Sequence, residues 1–210
     1  MERKLINWLG LTGIVALLSY TAAVLFSPLA YPGYNWMTQA VSDLSAETAP
    51  SKMLWGQLAA LYGTCSVVCA TCVSAYVADY KVSSRLFRIG IHLFTVMNWV
   101  SAVGYKMFPL VDSGKEIASF QEVMHIVVTA LVVLLSIASL VVLIIAGCRK
   151  SGVPGVGKWA AVALAMMMIG SIGTGVAPPQ YFGIVERFSV FAAVGFNAVL
   201  GMYLFAGFNH

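Results

Sequence analysis

Side chains that can bind a metal ion or transfer a proton occur in four separate stretches of the sequence, each near an apolar segment. These residues are Ser42 and Asp43, Asp112, Glu122 and His125, and Glu186 and Arg187. Glu122 and His125 are three residues apart, so they share one face of a helix. A carboxylate that meets an imidazole in a partly buried setting is suited to metal binding or acid–base catalysis. The four stretches therefore predict a polar site, provided that the fold brings them together.

The most specific chemistry that these residues suggest is the binding of a single divalent metal ion. His125 and Asp112 are the predicted ligands, because a catalytic zinc site needs only three protein ligands and keeps one position open. Calcium is the alternative metal. A di-iron centre would need a second Glu-x-x-His pair, which the three histidines of the chain do not supply. Without a metal, His125 is the predicted general base and Asp112 orients its ring, or both only bond to nearby backbone.

Four further residues have candidate roles around the same site. Glu186 is a second catalytic acid, or its negative charge only interacts favourably with the positive end of a helix dipole. Arg187 binds a phosphate or carboxylate of the substrate, with Asp43 beside it, because a guanidinium recognises such groups bidentately. The alternative for Arg187 is that it only reaches the membrane interface. Ser42 is a candidate nucleophile, provided that His125 comes within hydrogen-bond distance of it.

Two asparagines in apolar segments complete the predicted polar set. Asn98 and Asn197 each lie about ten residues from a helix end, which is about 15 Å along a helix. They are therefore expected at the same depth, where they form a hydrogen bond with each other worth about 0.6 kcal/mol. The alternative is that both line the floor of a substrate-binding cavity.

The composition indicates which kind of protein must position these residues. Of the 210 residues, 60% are hydrophobic and 10% are charged, whereas a soluble domain has about 25% charged residues. This excludes a soluble enzyme, a disordered chain and a nucleic-acid-binding protein. A helix that crosses a membrane needs about 20 mostly apolar residues. Six segments meet this requirement: residues 6–28, 54–78, 87–107, 122–147, 158–176 and 187–208.

The charges of the connecting loops orient these segments in the membrane. With both termini in the cytoplasm, the inner side carries eight lysines and arginines and the outer side carries four. The predicted fold is an all-α bundle of six transmembrane helices, one domain over residues 1–210, with both termini cytoplasmic. The acids, His125 and Arg187 then lie near the outer membrane surface. Within the long outer connection 29–53, residues 35–47 are expected to form a short interfacial or re-entrant helix.

The order and placement of several short motifs resemble the domain-of-unknown-function family numbered 998. The motifs are Tyr31-Pro32-Gly33-Tyr34 with Ser42 and Leu44, Phe108-Pro109 with Asp112 and His125, and Glu186-Arg187-Phe188-Ser189. The resemblance covers residues 6–208 and implies a six-helix membrane protein of bacteria and archaea with no established activity. The layout is also similar to multi-span hydrolases that hold a metal beneath lipid headgroups, although those carry more histidines. The expected location is the prokaryotic inner membrane.

Three functions remain open at this point. The first is a hydrolase or transferase that acts on a lipid or lipid-linked substrate at the outer leaflet. The second is a non-catalytic protein that binds a lipid or small molecule as a sensor or scaffold. The third is a transporter, which the absence of a repeat and of a carboxylate at the membrane midplane disfavours. Membrane lipid is the expected partner, nucleic acid is excluded, and a homo-oligomer remains open.

Overall fold

The computed structural model describes residues 3–111, 119–149 and 153–208. Within these ranges the chain is helical without a strand, and six segments are long and apolar enough to cross a membrane. The segments are Leu5–Ala30, Lys52–Asp79, Arg85–Met107, Phe120–Gly147, Pro154–Val176 and Pro179–Phe205. Each predicted span corresponds to one of them. The predicted all-α fold of six membrane-spanning helices is therefore confirmed.

The first two spans are each built from two α-helices, and the other four contain one α-helix each. The helices are α1 (Leu5–Leu9), α2 (Thr12–Phe26), α3 (Lys52–Leu58), α4 (Tyr62–Asp79), α5 (Arg85–Met107), α6 (Phe120–Gly147), α7 (Pro154–Val176) and α8 (Phe182–Phe205). Of three short 3₁₀ turns, Ser27–Ala30 ends the first span, Ser42–Ser45 lies in the first connection, and Pro179–Tyr181 begins the sixth span. Gly10 ends α1 and lies between the two helices of the first span.

The sixth span begins earlier than the sequence pattern predicts. The turn Pro179–Tyr181 leads into α8, which starts at Phe182, five residues before the predicted boundary at 187. Proline suits this position because the first turn of a helix has no use for its missing N–H group. Glu186 and Arg187 therefore lie in the second turn of α8. Both residues therefore follow the first turn, where the helix dipole acts most strongly.

The helices pack as a closed ring in which neighbours in sequence are neighbours in space. α2 packs on α4, the order continues through α5, α6, α7 and α8, and α8 returns to α2 while also contacting α4. Both described ends of the chain lie together, since Arg3 Nε donates to the Phe205 carbonyl at 3.3 Å. We call this end of the bundle the terminal end. The opposite end, which carries residues 31–51 and the turn Pro179–Tyr181, we call the loop end.

Most of the apolar core lies in the half of the bundle nearest the terminal end. Phe87, Phe94, Leu140, Leu200 and Leu204 are among its fully buried side chains. A smaller apolar cluster surrounds Tyr20 on the loop side of the bundle. The loop half of the ring therefore has fewer buried apolar side chains between its helices.

A layer of buried polar side chains separates the two parts of the core, and it corrects one prediction. Asn98 Nδ2 donates to the Phe94 carbonyl at 2.9 Å, one turn back on its own helix. Asn197 Nδ2 donates to the Ser66 carbonyl on α4 at 3.2 Å, and its Oδ1 has no partner among the described residues. The predicted bond between the two asparagines is therefore wrong. The physical reason is that a helix carbonyl oxygen can accept a second hydrogen bond and so competes with a side chain across the bundle.

Candidate functional site

The first loop, residues 31–51, covers the loop end without forming the expected helix. Its regular structure is limited to the 3₁₀ turn Ser42–Ser45, so the predicted interfacial or re-entrant helix over 35–47 is absent. Asn35 Oδ1 accepts from the Met37 amide at 3.0 Å, and Gln39 Oε1 accepts from the Asn35 amide at 2.7 Å. These side chains satisfy backbone groups that a helix would otherwise use, which explains the turns.

Hydrogen bonds from Arg187 hold the first loop against α8. Its Nη1 donates to the carbonyl oxygens of Trp36 at 2.7 Å and Gln39 at 3.2 Å, and also to that of Gly183 on its own helix. Its Nη2 donates to the Tyr34 hydroxyl at 2.8 Å. The sequence prediction assigned this guanidinium to a substrate phosphate or carboxylate. In this structure its bonds go to the protein itself.

Glu186, the residue before Arg187, holds the next part of the same loop. Its Oε2 accepts from the Val41 amide at 2.7 Å, and the Ser42 amide also bonds to the carboxylate. The carboxylate therefore caps the free N–H groups at the start of the turn Ser42–Ser45. Asp43 Oδ2 accepts from the Ala40 amide at 3.0 Å in the same turn. Four predicted site residues, Ser42, Asp43, Glu186 and Arg187, are thus brought together.

The carboxyl group of Asp43 is partly desolvated, and burial raises its pKa above the ordinary value of 3.8. The Ala40 amide and the positive charge of Arg187 oppose this shift without cancelling it. A carboxyl group with a raised pKa binds protons more readily in the closed loop than in an open one. The stability that this proton contributes is fully present below pH 3.8 and is lost as the pH rises through the raised pKa.

We expect Asp43→Asn to reduce the pH dependence, because an amide has nearly the same shape and cannot ionise. The protection of the loop amides against hydrogen exchange should weaken in the wild type as the pH rises from 4 to 7. In Asp43→Asn it should weaken less, and the remaining change belongs to Glu186, which bonds to the same loop. A variant whose protection follows the wild-type curve over that range would contradict the assignment of the titration to Asp43.

His125 lies on α6, where its ring is half-buried and held in one orientation. Its Nδ1 is 2.9 Å from the Phe108 carbonyl oxygen, which can only accept a hydrogen bond. Nδ1 therefore carries the proton, and in the neutral ring Nε2 is left with a free lone pair. No described residue bonds to Nε2. A histidine fixed in this way can accept a proton or ligate a metal through Nε2.

Tyr105 packs beside His125 in the loop half of the bundle. Its ring centroid is 5.2 Å from that of His125, and its hydroxyl donates to Thr129 Oγ1 at 3.2 Å. No bond joins His125 to Ser42 in the described part of the chain.

Sequence analysis missed both tyrosines that organise this region. Tyr105 is seven residues after Asn98, which places the two on one face of α5. That spacing is the signal that could have identified it. Tyr34 belongs to the motif Tyr31-Pro32-Gly33-Tyr34 but had no assigned role. Its hydroxyl accepts from Arg187 and donates to the Ala40 carbonyl at 2.8 Å.

The predicted metal site depends on a residue that the structure does not describe. Asp112 lies outside the described residues, so its proposed pairing with His125 stays a prediction. Among residues 3–111, 119–149 and 153–208, no three His, Cys, Asp or Glu side chains come together as a metal-binding group. Glu122 bonds to the Ser119 amide at 2.9 Å and caps the start of α6. Asn98 and Asn197 lie deeper, in the buried polar layer.

Comparisons with known proteins agree with the architecture. No curated protein and no solved structure matches the chain. A family described as "Protein of unknown function (DUF998)" matches residues 14–203, which is most of the 210 residues and includes all the motifs of the predicted resemblance. The chain therefore belongs to the DUF998 family.

Proposed function

We propose that the loop half of this multi-pass membrane protein binds a lipid or lipid-linked substrate and hydrolyses it or transfers a group from it. The observation that carries the proposal is the geometry of His125. The Phe108 carbonyl holds its Nδ1–H, and this leaves Nε2 free beside Tyr105, in the part of the bundle with less apolar filling. In this proposal the loop end faces outward and the termini are cytoplasmic, in agreement with the loop charges.

The surroundings of the site favour a substrate with an apolar part. Trp36 and Leu29, at the loop end, are 56% and 82% exposed, and tryptophan is typical of the headgroup level of a membrane. The helices below them carry apolar side chains toward the lipid. A substrate that keeps its chains in the membrane would present its headgroup at the level of His125 and the first loop. In that position the substrate can react without being extracted from the membrane.

In the proposed reaction each of these residues has one role. Nε2 of His125 accepts a proton from the attacking water or hydroxyl, or it ligates one divalent metal together with Asp112. The Tyr105 ring packs beside the imidazole and helps to orient it. Ser42, Asp43, Glu186 and Arg187 hold the first loop over the site, and Asn98 and Asn197 lie beneath it. If a metal such as zinc is bound, it would activate water at this position.

A second candidate is a non-catalytic lipid-binding protein, and one specific observation favours it. Glu186 and Arg187 both form hydrogen bonds to the first loop, so these two charged side chains are already occupied in this structure. A sensor or scaffold needs a pocket and no base. The two candidates differ in whether His125 is required for turnover or only for binding.

The test compares wild type with His125→Ala, using His92→Ala as the matched control on another helix. Metal content is measured by elemental mass spectrometry, and turnover is measured on phospholipids and lipid-linked phosphates in vesicles. We expect turnover to fall by about 10²–10⁴-fold in His125→Ala, the usual contribution of a general base. The control should retain activity. Any bound metal should be lost only with His125.

Two results would contradict the catalytic proposal. Turnover that is equal in wild type and His125→Ala would exclude His125 as base or ligand. Failure of the wild type to turn over any of these lipids, with a co-purified lipid retained by both proteins, would support the non-catalytic binder instead. Metal absent from active wild type would exclude only the metal-dependent form.

A further inference from the structure

The outward face formed by α4 and α5 carries hydrogen-bonding groups where lipid tails would be expected. Ser74 Oγ and His92 Nδ1 are 2.5 Å apart, and Trp99 Nε1 donates to Thr71 Oγ1 at 3.1 Å. Both pairs join α4 to α5, and both are exposed on the outside of the bundle. We propose that this face packs against the same face of a second copy of the chain.

The depth of these pairs argues against contact with headgroups. α5 runs from Arg85 to Met107 and is about 34 Å long, close to the roughly 30 Å thickness of the hydrocarbon layer. His92 lies about 10 Å and Trp99 about 21 Å from the Arg85 end. Tryptophan is enriched at the two membrane surfaces, and ionisable side chains within a span almost always face a protein or water-filled interior. Here the side chains of His92 and Trp99 are both exposed on the outside of the bundle.

The imidazole of His92 has a bonding requirement that the described residues of its own chain do not meet. One ring nitrogen is engaged by Ser74, and no described residue bonds to the other, Nε2. In the neutral ring one nitrogen donates and the other accepts, so whichever tautomer forms leaves Nε2 with an unused donor or acceptor. Lipid tails have no group that can satisfy it, and an unsatisfied polar group in hydrocarbon is costly.

A second copy meets this requirement because of membrane geometry. Copies inserted in one orientation are parallel, and a two-fold axis along the membrane normal brings each residue to the same depth as its counterpart. His92 then faces His92, and a neutral imidazole can donate to another imidazole in the opposite tautomer. The exposed stripe of Ile89, Val96 and Val103 on α5 supplies apolar packing around the axis. The proposal does not depend on the function of the loop end.

Cysteine cross-linking in membranes tests the interface. Cys65, Cys72 and Cys148 are replaced by alanine, while Cys69 stays because it is fully buried. Val96→Cys is compared with Val162→Cys on α7, since the two valines are 50% and 49% exposed. Oxidation with copper phenanthroline is expected to give a covalent dimer with Val96→Cys and a monomer with Val162→Cys.

The role of His92 is tested in the same background. Adding His92→Leu to Val96→Cys should lower the dimer yield about threefold, the effect of losing one interhelical hydrogen bond in a membrane. Because His92→Leu also removes the bond to Ser74 within the chain, correct folding is checked by thermal unfolding, with Ser74→Ala as the variant that removes that bond alone. Equal cross-linking at the two valine positions, or a product with the mass of a different protein, would overturn the proposal. So would a dimer yield that His92→Leu leaves unchanged.

Discussion

Replacing Arg187 with glutamine is expected to release the first loop from α8. The guanidinium donates to three carbonyl oxygens and to the Tyr34 hydroxyl, and a glutamine amide can replace only one or two of these bonds. Hydrogen bonds from a charged donor contribute about 1.5–3 kcal/mol each, and the bonds of one group are not additive. We expect the free energy of loop opening to fall by about 3 kcal/mol. Amide hydrogen exchange of Val41 and Ser42 should then be about 100-fold faster.

The matched control removes the same charge from the same end of the molecule. Lys52 pairs with Glu47 at 3.9 Å, and the Lys52 side chain is 53% exposed, so Lys52→Gln should change exchange little. Arg187→Lys should give an intermediate effect, because an ammonium group lacks the planar fork that reaches several acceptors. If Lys52→Gln and Arg187→Gln accelerate exchange equally, net charge rather than the observed bonds holds the loop.

The release of the loop also has a consequence for the proposed activity. Arg187→Gln removes the positive charge next to Glu186 and the bonds that hold Trp36, Gln39 and Tyr34. If the closed loop excludes water from the site, turnover should fall in this variant although His125 is untouched. The opposite result, faster turnover, would mean that loop opening limits the rate.

The second large effect is expected where α8 crosses the break between α1 and α2. A methyl group added at Gly201 would overlap the Gly10 carbonyl oxygen and lie 2.9 Å from Cys69 Sγ. The backbone cannot yield without moving one helix away from the other. Overpacking of this kind costs about 1–3 kcal/mol. We expect Gly201→Ala to lie at the upper end of that range and to lower the melting temperature by about 5–10 °C.

Thermal unfolding in detergent, followed by tryptophan fluorescence, measures this effect. The control is Gly195→Ala on the same helix, where a methyl group would have no atom within 4 Å. Gly195→Ala should leave the melting temperature unchanged or raise it slightly, because alanine favours the helix. Equal melting temperatures for the two variants would show that the crossing tolerates separation of the helices.

The sequence by itself determined the fold class and the residues around which the loop end is built. Long apolar segments with few charges specify membrane-spanning helices, because every backbone group in hydrocarbon must bond within the chain. The segments between the apolar stretches are then the connecting loops. This identified a set of polar groups at the ends of the spans: Ser42, Asp43, His125, Glu186 and Arg187. The resemblance to the DUF998 family depended on motifs that include these positions. Each of these inferences uses only local composition and short spacing.

The tertiary structure alone decided which partners these residues have. The start of α8 at Phe182, before the predicted boundary, placed Glu186 and Arg187 beside the first loop, where backbone amides and carbonyls occupy both side chains. The packing of the helices likewise gave Asn98 and Asn197 separate acceptors and placed Tyr105 beside His125. A spacing rule fixes the face of a helix on which a side chain lies. Which group a side chain bonds to depends on how helices far apart in sequence are rotated against one another. It also depends on which backbone acceptors lie within reach, and both are defined only in the folded chain.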